Sequence, residues 1–187
     1  AVGEFSEEDL IAAEETVITI TATGYIKRQS PTAFRAQARG GKGVTGMTTK
    51  DEDEIAHILT ANTHDDMYFF TNRGRAFKVK AHEIGEGSRQ SKGQAIVNLI
   101  SIEQDEKLQA VLPLGKSNTG KFLLMATETG TVKKTKISEF DNIRTSGKIA
   151  IKLDKGDSLK WVKPTNGEDL VLLVSQEGKS IKFKEED

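Results

Sequence analysis

The chain has 187 residues, with 27 Lys or Arg against 28 Asp or Glu and a formal net charge of −1, so total charge singles out no partner. It has no cysteine, which excludes disulfides and thiolate chemistry, and no apolar run approaches the ~18–20 residues of a membrane span. The length suits one good-sized domain or one array of repeated units, and these features together predict a soluble cytoplasmic protein.

Residues 1–15 form an acidic lead, with Glu4, Glu7, Glu8, Asp9, Glu14 and Glu15 and no cation. Ser6 before Glu8 and Asp9 permits a capped helical turn; a linker fits equally well. The lead has no signal-peptide pattern. From residue 16 onward the periodicity is of β type. Residues 16–23 alternate apolar side chains with Thr, as a half-buried strand does. Strands are then expected at 55–61, 67–71, 76–80, 94–100, 108–114, 122–127, 131–136, 149–153, 158–163 and 170–175, with short turns at 31–36, 81–85 and 137–141. The predicted domain is 16–187, divided into repeats at about 16–48, 55–100, 108–153 and an incomplete 158–187. Four antiparallel strands per ~50 residues is the geometry of a propeller blade. About fourteen strands give three and a half blades, an excerpt of a longer array.

Four columns define the repeat. A glycine recurs at Gly24, Gly74, Gly130 and Gly178. Three residues earlier stands a hydroxyl: Thr21, Thr71, Thr127, Ser175. Four residues later stands a cation: Arg28, Lys78, Lys134, Lys182. Ten residues after the first three glycines stands an apolar plug: Phe34, Ile84, Phe140. The glycines lie between apolar runs and read as tight hairpin turns.

A polar loop follows each hairpin in the first three repeats. It is Gln37-Ala38-Arg39-Gly40-Gly41-Lys42-Gly43, then Arg89-Gln90-Ser91-Lys92-Gly93, then Arg144-Thr145-Ser146-Gly147-Lys148. Such loops expose backbone N–H groups beside cations, which suits a phosphate. In a strand, side chains alternate between faces, so Lys78 and Lys80, Lys134 and Lys136, and Lys182 and Lys184 pair on one face. The expected nucleic-acid rim is Lys27, Arg28, Arg35, Arg73, Arg75, Lys78, Lys80, Arg89, Lys92, Lys133, Lys134, Lys136, Arg144, Lys148, Lys179, Lys182 and Lys184.

Gln37 to Gly43 resembles the signature box of the C-terminal domain of the DNA gyrase A subunit. Gly24-Tyr25-Ile26-Lys27-Arg28, the stretch from Gly87 to Leu99, and Met125 to Thr135 agree with it in order and spacing. The resemblance runs from about Asp9 to Asp187. It implies an all-β, propeller-like β-pinwheel of six blades that exchange strands. It also implies sequence-independent binding, bending and chiral wrapping of double-stranded DNA for negative supercoiling. The implied partners are the rest of the gyrase A subunit, plus the ATP-binding B subunit, in a bacterial, nucleoid-associated setting. Ala38 departs from the box, which usually has arginine there.

Other chemistry is poorly supported. Gly115-Lys116-Ser117-Asn118-Thr119-Gly120-Lys121 imitates a P-loop, but Phe122 follows where Ser or Thr is needed. His57, His64 and His82 lack metal-ligand spacing, so neither metal nor cofactor is expected, and no catalytic constellation stands out. Two alternatives remain open: a related topoisomerase IV domain, and a protein-binding propeller. The second suits poorly a chain with eleven aromatic residues and repeated cations.

Overall fold

Met67-Tyr68-Phe69-Phe70 is a continuous apolar run, which marks a strand covered on both faces. In the computed structural model, which describes residues 7–35, 53–115 and 120–186, these residues lie in such a strand. Phe69 and Phe70 are both fully buried, on opposite sides of one sheet. Phe69 joins Ile18, Ile20, Ile26 and Ile84 in one core, while Phe70 joins Leu123, Met125, Phe140 and Ile151 in another. The sheets are therefore stacked face to face, and each interface is an apolar core.

The fold is all-β. Its strands are β1 (Glu15–Thr21), β2 (Tyr25–Gln29), β3 (Ile55–Asn62), β4 (Asp66–Thr71), β5 (Arg75–Lys80), β6 (Gln94–Ala95) and β7 (Leu108–Leu114). They continue with β8 (Phe122–Thr127), β9 (Val132–Lys136), β10 (Lys148–Ile149), β11 (Leu159–Thr165), β12 (Leu170–Val174) and β13 (Ser180–Lys184). Helical turns occupy Glu7–Leu10, Pro31–Arg35, Ala81–Glu83, Ile96–Asn98 and Ile137–Phe140. The plugs Ile84 and Phe140 are buried, and Phe34 is half-buried.

Sequence repeats and spatial sheets do not coincide. The first sheet runs β3-β1-β2-β6 and the second, taken in the same sense, β7-β4-β5-β10. Each takes its central hairpin from one repeat and both flanking strands from the next. The third runs β11-β8-β9, and β12 pairs with β13 in the fourth. The four strands expected to form the blade of residues 55–100 are thus shared between two sheets. Strand exchange ties consecutive blades with main-chain hydrogen bonds as well as apolar contact.

Two expected strands are shorter than predicted. Within 94–100 only Gln94–Ala95 is strand, and Ile96–Asn98 turns helically. Ile96 and Ile100 are buried while Val97 is exposed, because the Ile96 N–H docks on the Gly24 carbonyl at 2.8 Å. Within 149–153 the strand is Lys148–Ile149, and the Ala150 N–H docks on the Gly74 carbonyl at 2.8 Å.

Turn chemistry explains two of the four columns. In every copy the glycine N–H donates to the carbonyl of the hydroxyl residue, at 3.0, 3.0, 3.1 and 2.9 Å along the chain. The hydroxyl accepts from the N–H four residues on: Tyr25 to Thr21 at 3.1 Å, Arg75 to Thr71 at 3.3 Å, Thr131 to Thr127 at 3.0 Å and Lys179 to Ser175 at 3.1 Å. All four glycines have positive φ, which costs a glycine almost nothing.

Carboxylates finish these turns. Asp157 accepts from the Thr129 N–H at 3.1 Å, the Thr129 hydroxyl at 2.7 Å and the Ser158 N–H at 2.8 Å. Desolvation pushes this carboxyl up, but the hydrogen bonds outweigh it and hold it at about 2, below its ordinary 3.8. A depressed carboxylate stabilises the folded form above its ordinary value and loses that contribution as pH falls through the folded one. Acidification from 3.8 toward about 2 is therefore expected to release Asp157 from the 127–131 turn. Amide shifts of Thr129 and Ser158 followed by NMR should titrate near the lower value; a midpoint at the ordinary carboxylate value would refute the contact.

Candidate nucleic-acid interface

The predicted cations separate into three sets once their partners are known. The box residues Gln37, Ala38, Arg39, Gly40, Gly41, Lys42 and Gly43 lie outside the described residues, as does the side chain of Arg35.

The first set is held by internal partners. Lys27 is only 2% exposed, because the next repeat's loop covers it. Its ammonium donates to the carbonyls of Ser88 at 3.1 Å, Arg89 at 3.4 Å and Ser91 at 2.9 Å. Burial pushes this amine below its usual value, and the three acceptors replace its lost hydration. Arg73 pairs with Glu103 and Asp105. Arg75 pairs with the buried carboxylate of Glu106 at 2.8 Å and caps the Ser146 carbonyl at 2.7 Å. Lys80 lies 3.1 Å from both Glu8 and Asp66. Burial alone pushes the Lys80 amine down, but Asp66 and Glu8 outweigh it and raise it. Glu8 thus brings part of the acidic lead onto the second blade.

The second set reaches backbone carbonyls. Arg28 Nε donates to Ile84 at 2.7 Å, Lys78 to Asp141, Lys133 to Ala150 at 2.9 Å, Lys134 to Glu185 at 2.7 Å and Lys148 to Glu139.

The third set faces outward. The side chains of Arg89, Lys136, Arg144 and Lys182 are exposed and have no hydrogen-bond or ion-pair partner among the described residues. Lys92 is exposed, with its ammonium 4.2 Å over the Tyr25 ring. Lys179 and Lys184 are exposed beside Glu177 at 3.9 Å and Glu186 at 3.3 Å, pairs that solvent weakens. Arg144 also lines an open polar groove with Lys78, Asp141, Asn142 and Ile143.

The loop carrying Arg89 and Lys92 is built from beneath. Lys27 draws three carbonyls inward, and the N–H groups of Arg89, Gln90 and Lys92 have no partner among the described residues. Gly93 has φ +90°, and a Cβ there would stand 2.5 Å from the Ile26 carbonyl oxygen. Only glycine lets the loop lie this close to β2. Free amides beside an unpaired guanidinium are chemically suited to an anion. No local pattern marks Lys27 as a loop support, because the loop above it begins 61 residues later. Lys152, Lys155 and Lys163 also have exposed side chains without a partner among the described residues. They fall outside the repeat columns.

The model of the DNA gyrase C-terminal domain, beta-propeller, matches residues 15–62, 65–114, 121–166 and 169–187. The chain belongs to this family. It is 47% identical over 178 residues to the DNA gyrase A subunit of Escherichia coli (strain K12), covering 95% of this chain and 20% of that protein. It is 43% identical over 185 residues to the DNA gyrase A subunit of Mycolicibacterium smegmatis, covering 99% of this chain and 22% of that one. The chain therefore spans about a fifth of the length of these relatives. Among solved structures it resembles the C-terminal domain of DNA topoisomerase IV, with TM-score 0.75, 30% identity, and 94% and 53% coverage of the two chains. It also resembles a DNA gyrase A C-terminal domain, with TM-score 0.68, 27% identity, and 91% and 55% coverage. No helix among the described residues is long and apolar enough to cross a membrane.

Proposed function

We propose that this chain binds double-stranded DNA through its phosphates and bends and wraps it as the C-terminal domain of a gyrase A subunit. The observation that carries this reading is the pair Arg89 and Arg144. They occupy equivalent loops of successive repeats, and both side chains are exposed and unpartnered among the described residues. Arg39 stands in the same column of the first repeat. Phosphate contacts position a protein on DNA without reading bases, so the binding is independent of sequence. Bending by 40–90° costs of order 1–6 kcal/mol, offset by the phosphate contacts it adds.

In the whole enzyme the wrapped segment is handed to the strand-passage gate of the A subunit, with ATP used by the B subunit, in the bacterial cytoplasm. This domain supplies DNA handling and no catalytic group or cofactor. The test is to bind the chain to a nicked circle, seal the nick and measure the linking number. A shift is expected, and Arg39→Ala with Lys42→Ala should abolish it while circular dichroism stays unchanged. No shift with the unaltered chain would overturn wrapping. Binding without a shift would favour a topoisomerase IV-like role in substrate choice, the alternative that the TM-score of 0.75 supports.

A further inference from the structure

We propose that Arg28, Lys78 and Lys134 are positioning residues, latches that set the angle between successive blades and hence the curvature of the DNA path. This rests on the DNA-bending reading above. The cation column would then shape the surface without itself holding phosphate.

The three side chains do the same thing in three places. Each leaves the second strand of its hairpin and reaches forward to the next repeat: Arg28 to the Ile84 carbonyl, Lys78 to the Asp141 carbonyl, Lys134 to the Glu185 carbonyl. The acceptors lie ten, eleven and seven residues past the next turn glycine, just beyond the next hairpin. Ile84 and Asp141 end the helical turns Ala81–Glu83 and Ile137–Phe140. Carbonyls at the end of a helical turn lack partners within it, and cations suit them.

Two of the anchoring points belong to buried plugs: Ile84 is itself one, and the exposed Asp141 directly follows another, Phe140, in the cores between sheets. Glu185 is buried. A latch fixed to a plug constrains rotation of one blade on another, which apolar contact alone leaves loose because it is non-directional. Face-packed sheets lie ~10 Å apart, a span that only long side chains such as Lys and Arg cross. Around Arg28 the tie is reinforced by main-chain bonds, from its N–H to Gly85 at 3.1 Å and from the Gly87 N–H to its carbonyl at 2.9 Å. Lys182, the fourth member, has no such acceptor among the described residues and stands exposed.

The test uses Arg28→Met, Lys78→Met and Lys134→Met, singly and combined, with Lys78→Arg and Lys134→Arg as rescues. Affinity for a linear duplex is measured against salt, and affinity for a small closed circle of the same length is measured beside it. The latch predicts an unchanged salt slope, a preference for the circle reduced about tenfold in the combined variant, and recovery with arginine. A phosphate-contact role predicts a slope smaller by about 0.9 per residue removed. That result, or an unchanged preference for the circle, overturns the proposal. Should the combined variant fail to fold, the single variants carry the same two readings. Salt-insensitive binding by the unaltered chain would instead defeat the DNA reading. The latch is then decided by small-angle scattering of free protein, where curves identical for variant and unaltered chain refute it.

Discussion

Gly74→Ala is expected to destabilise the protein by about 2–5 kcal/mol, whereas Gly130→Ala, in the same column, costs about 1–2 kcal/mol. Both glycines have positive φ, +75° and +95°, so both substitutions incur the left-handed penalty of ~1–2 kcal/mol. Their surroundings differ. A Cβ on Gly74 would stand 2.4 Å from the Ile151 carbonyl oxygen and 2.9 Å from Ile151 Cγ2. The first is backbone, held by the Ala150 and Ile151 N–H bonds to the Gly74 carbonyl at 2.8 and 3.2 Å. Ile151 is also packed in the core with Phe70 and Leu123. Relief of the clash must break that docking, an overpacking cost of ~1–3 kcal/mol. A Cβ on Gly130 would meet no described atom within 4 Å, its chain neighbours aside. Urea unfolding of both variants measures the difference; equal losses would mean that the third repeat does not dock on the Gly74 turn. Against a total stability of ~5–15 kcal/mol, the Gly74 change is large.

That contrast shows what the chain order reveals and what it hides. The hydroxyl and glycine columns are legible because turn chemistry is local: Thr71 and Gly74 interact within four residues. The plugs Ile84 and Phe140 are legible because they punctuate strand patterns. Strand exchange is not, because an edge strand accepts any suitably patterned neighbour. Nothing within Ile55–Asn62 says that it pairs with Glu15–Thr21 instead of its own hairpin. The helical turn at Ile96–Asn98 does carry a signal. Ile96, Leu99 and Ile100 are spaced three and four apart, the helical spacing, within a run whose apolar content reads as strand.

The site is half legible for a related reason. Cation positions follow from sequence, but whether a cation is free depends on residues far away. Arg73 meets Glu103 and Asp105, thirty or so residues on in the chain. The acid cluster at 103–106 has the composition of a solvated connector, yet Glu106 is buried, bonded to Arg75 and to the Thr71 hydroxyl. The +4 column is ambiguous for another reason. A strong periodic signal in a repeat protein reports what every repeat needs, and joining the next repeat is such a need.

DNA affinity is expected to fall ~10³–10⁵-fold between 50 and 200 mM salt if roughly 6–10 phosphates are contacted. The free cations make the prediction specific. Arg89→Ala and Arg144→Ala should each reduce the slope of log affinity against log salt by about one, and weaken binding equally on unrelated duplex sequences. Both side chains are exposed and unpartnered among the described residues, so each can displace a condensed counterion. Arg73→Ala should leave the slope unchanged, because that guanidinium is already held by two carboxylates. Lys27→Met should act differently again. It removes no phosphate contact, but it deprives the Ser88, Arg89 and Ser91 carbonyls of their shared donor. The loop above then loses its fixed geometry, and affinity falls while the contact at Arg144 persists. Titrations by fluorescence anisotropy at several salt concentrations separate these cases. Equal slopes for Arg73→Ala, Arg89→Ala and Arg144→Ala would mean that internal pairing does not decide which cations meet DNA.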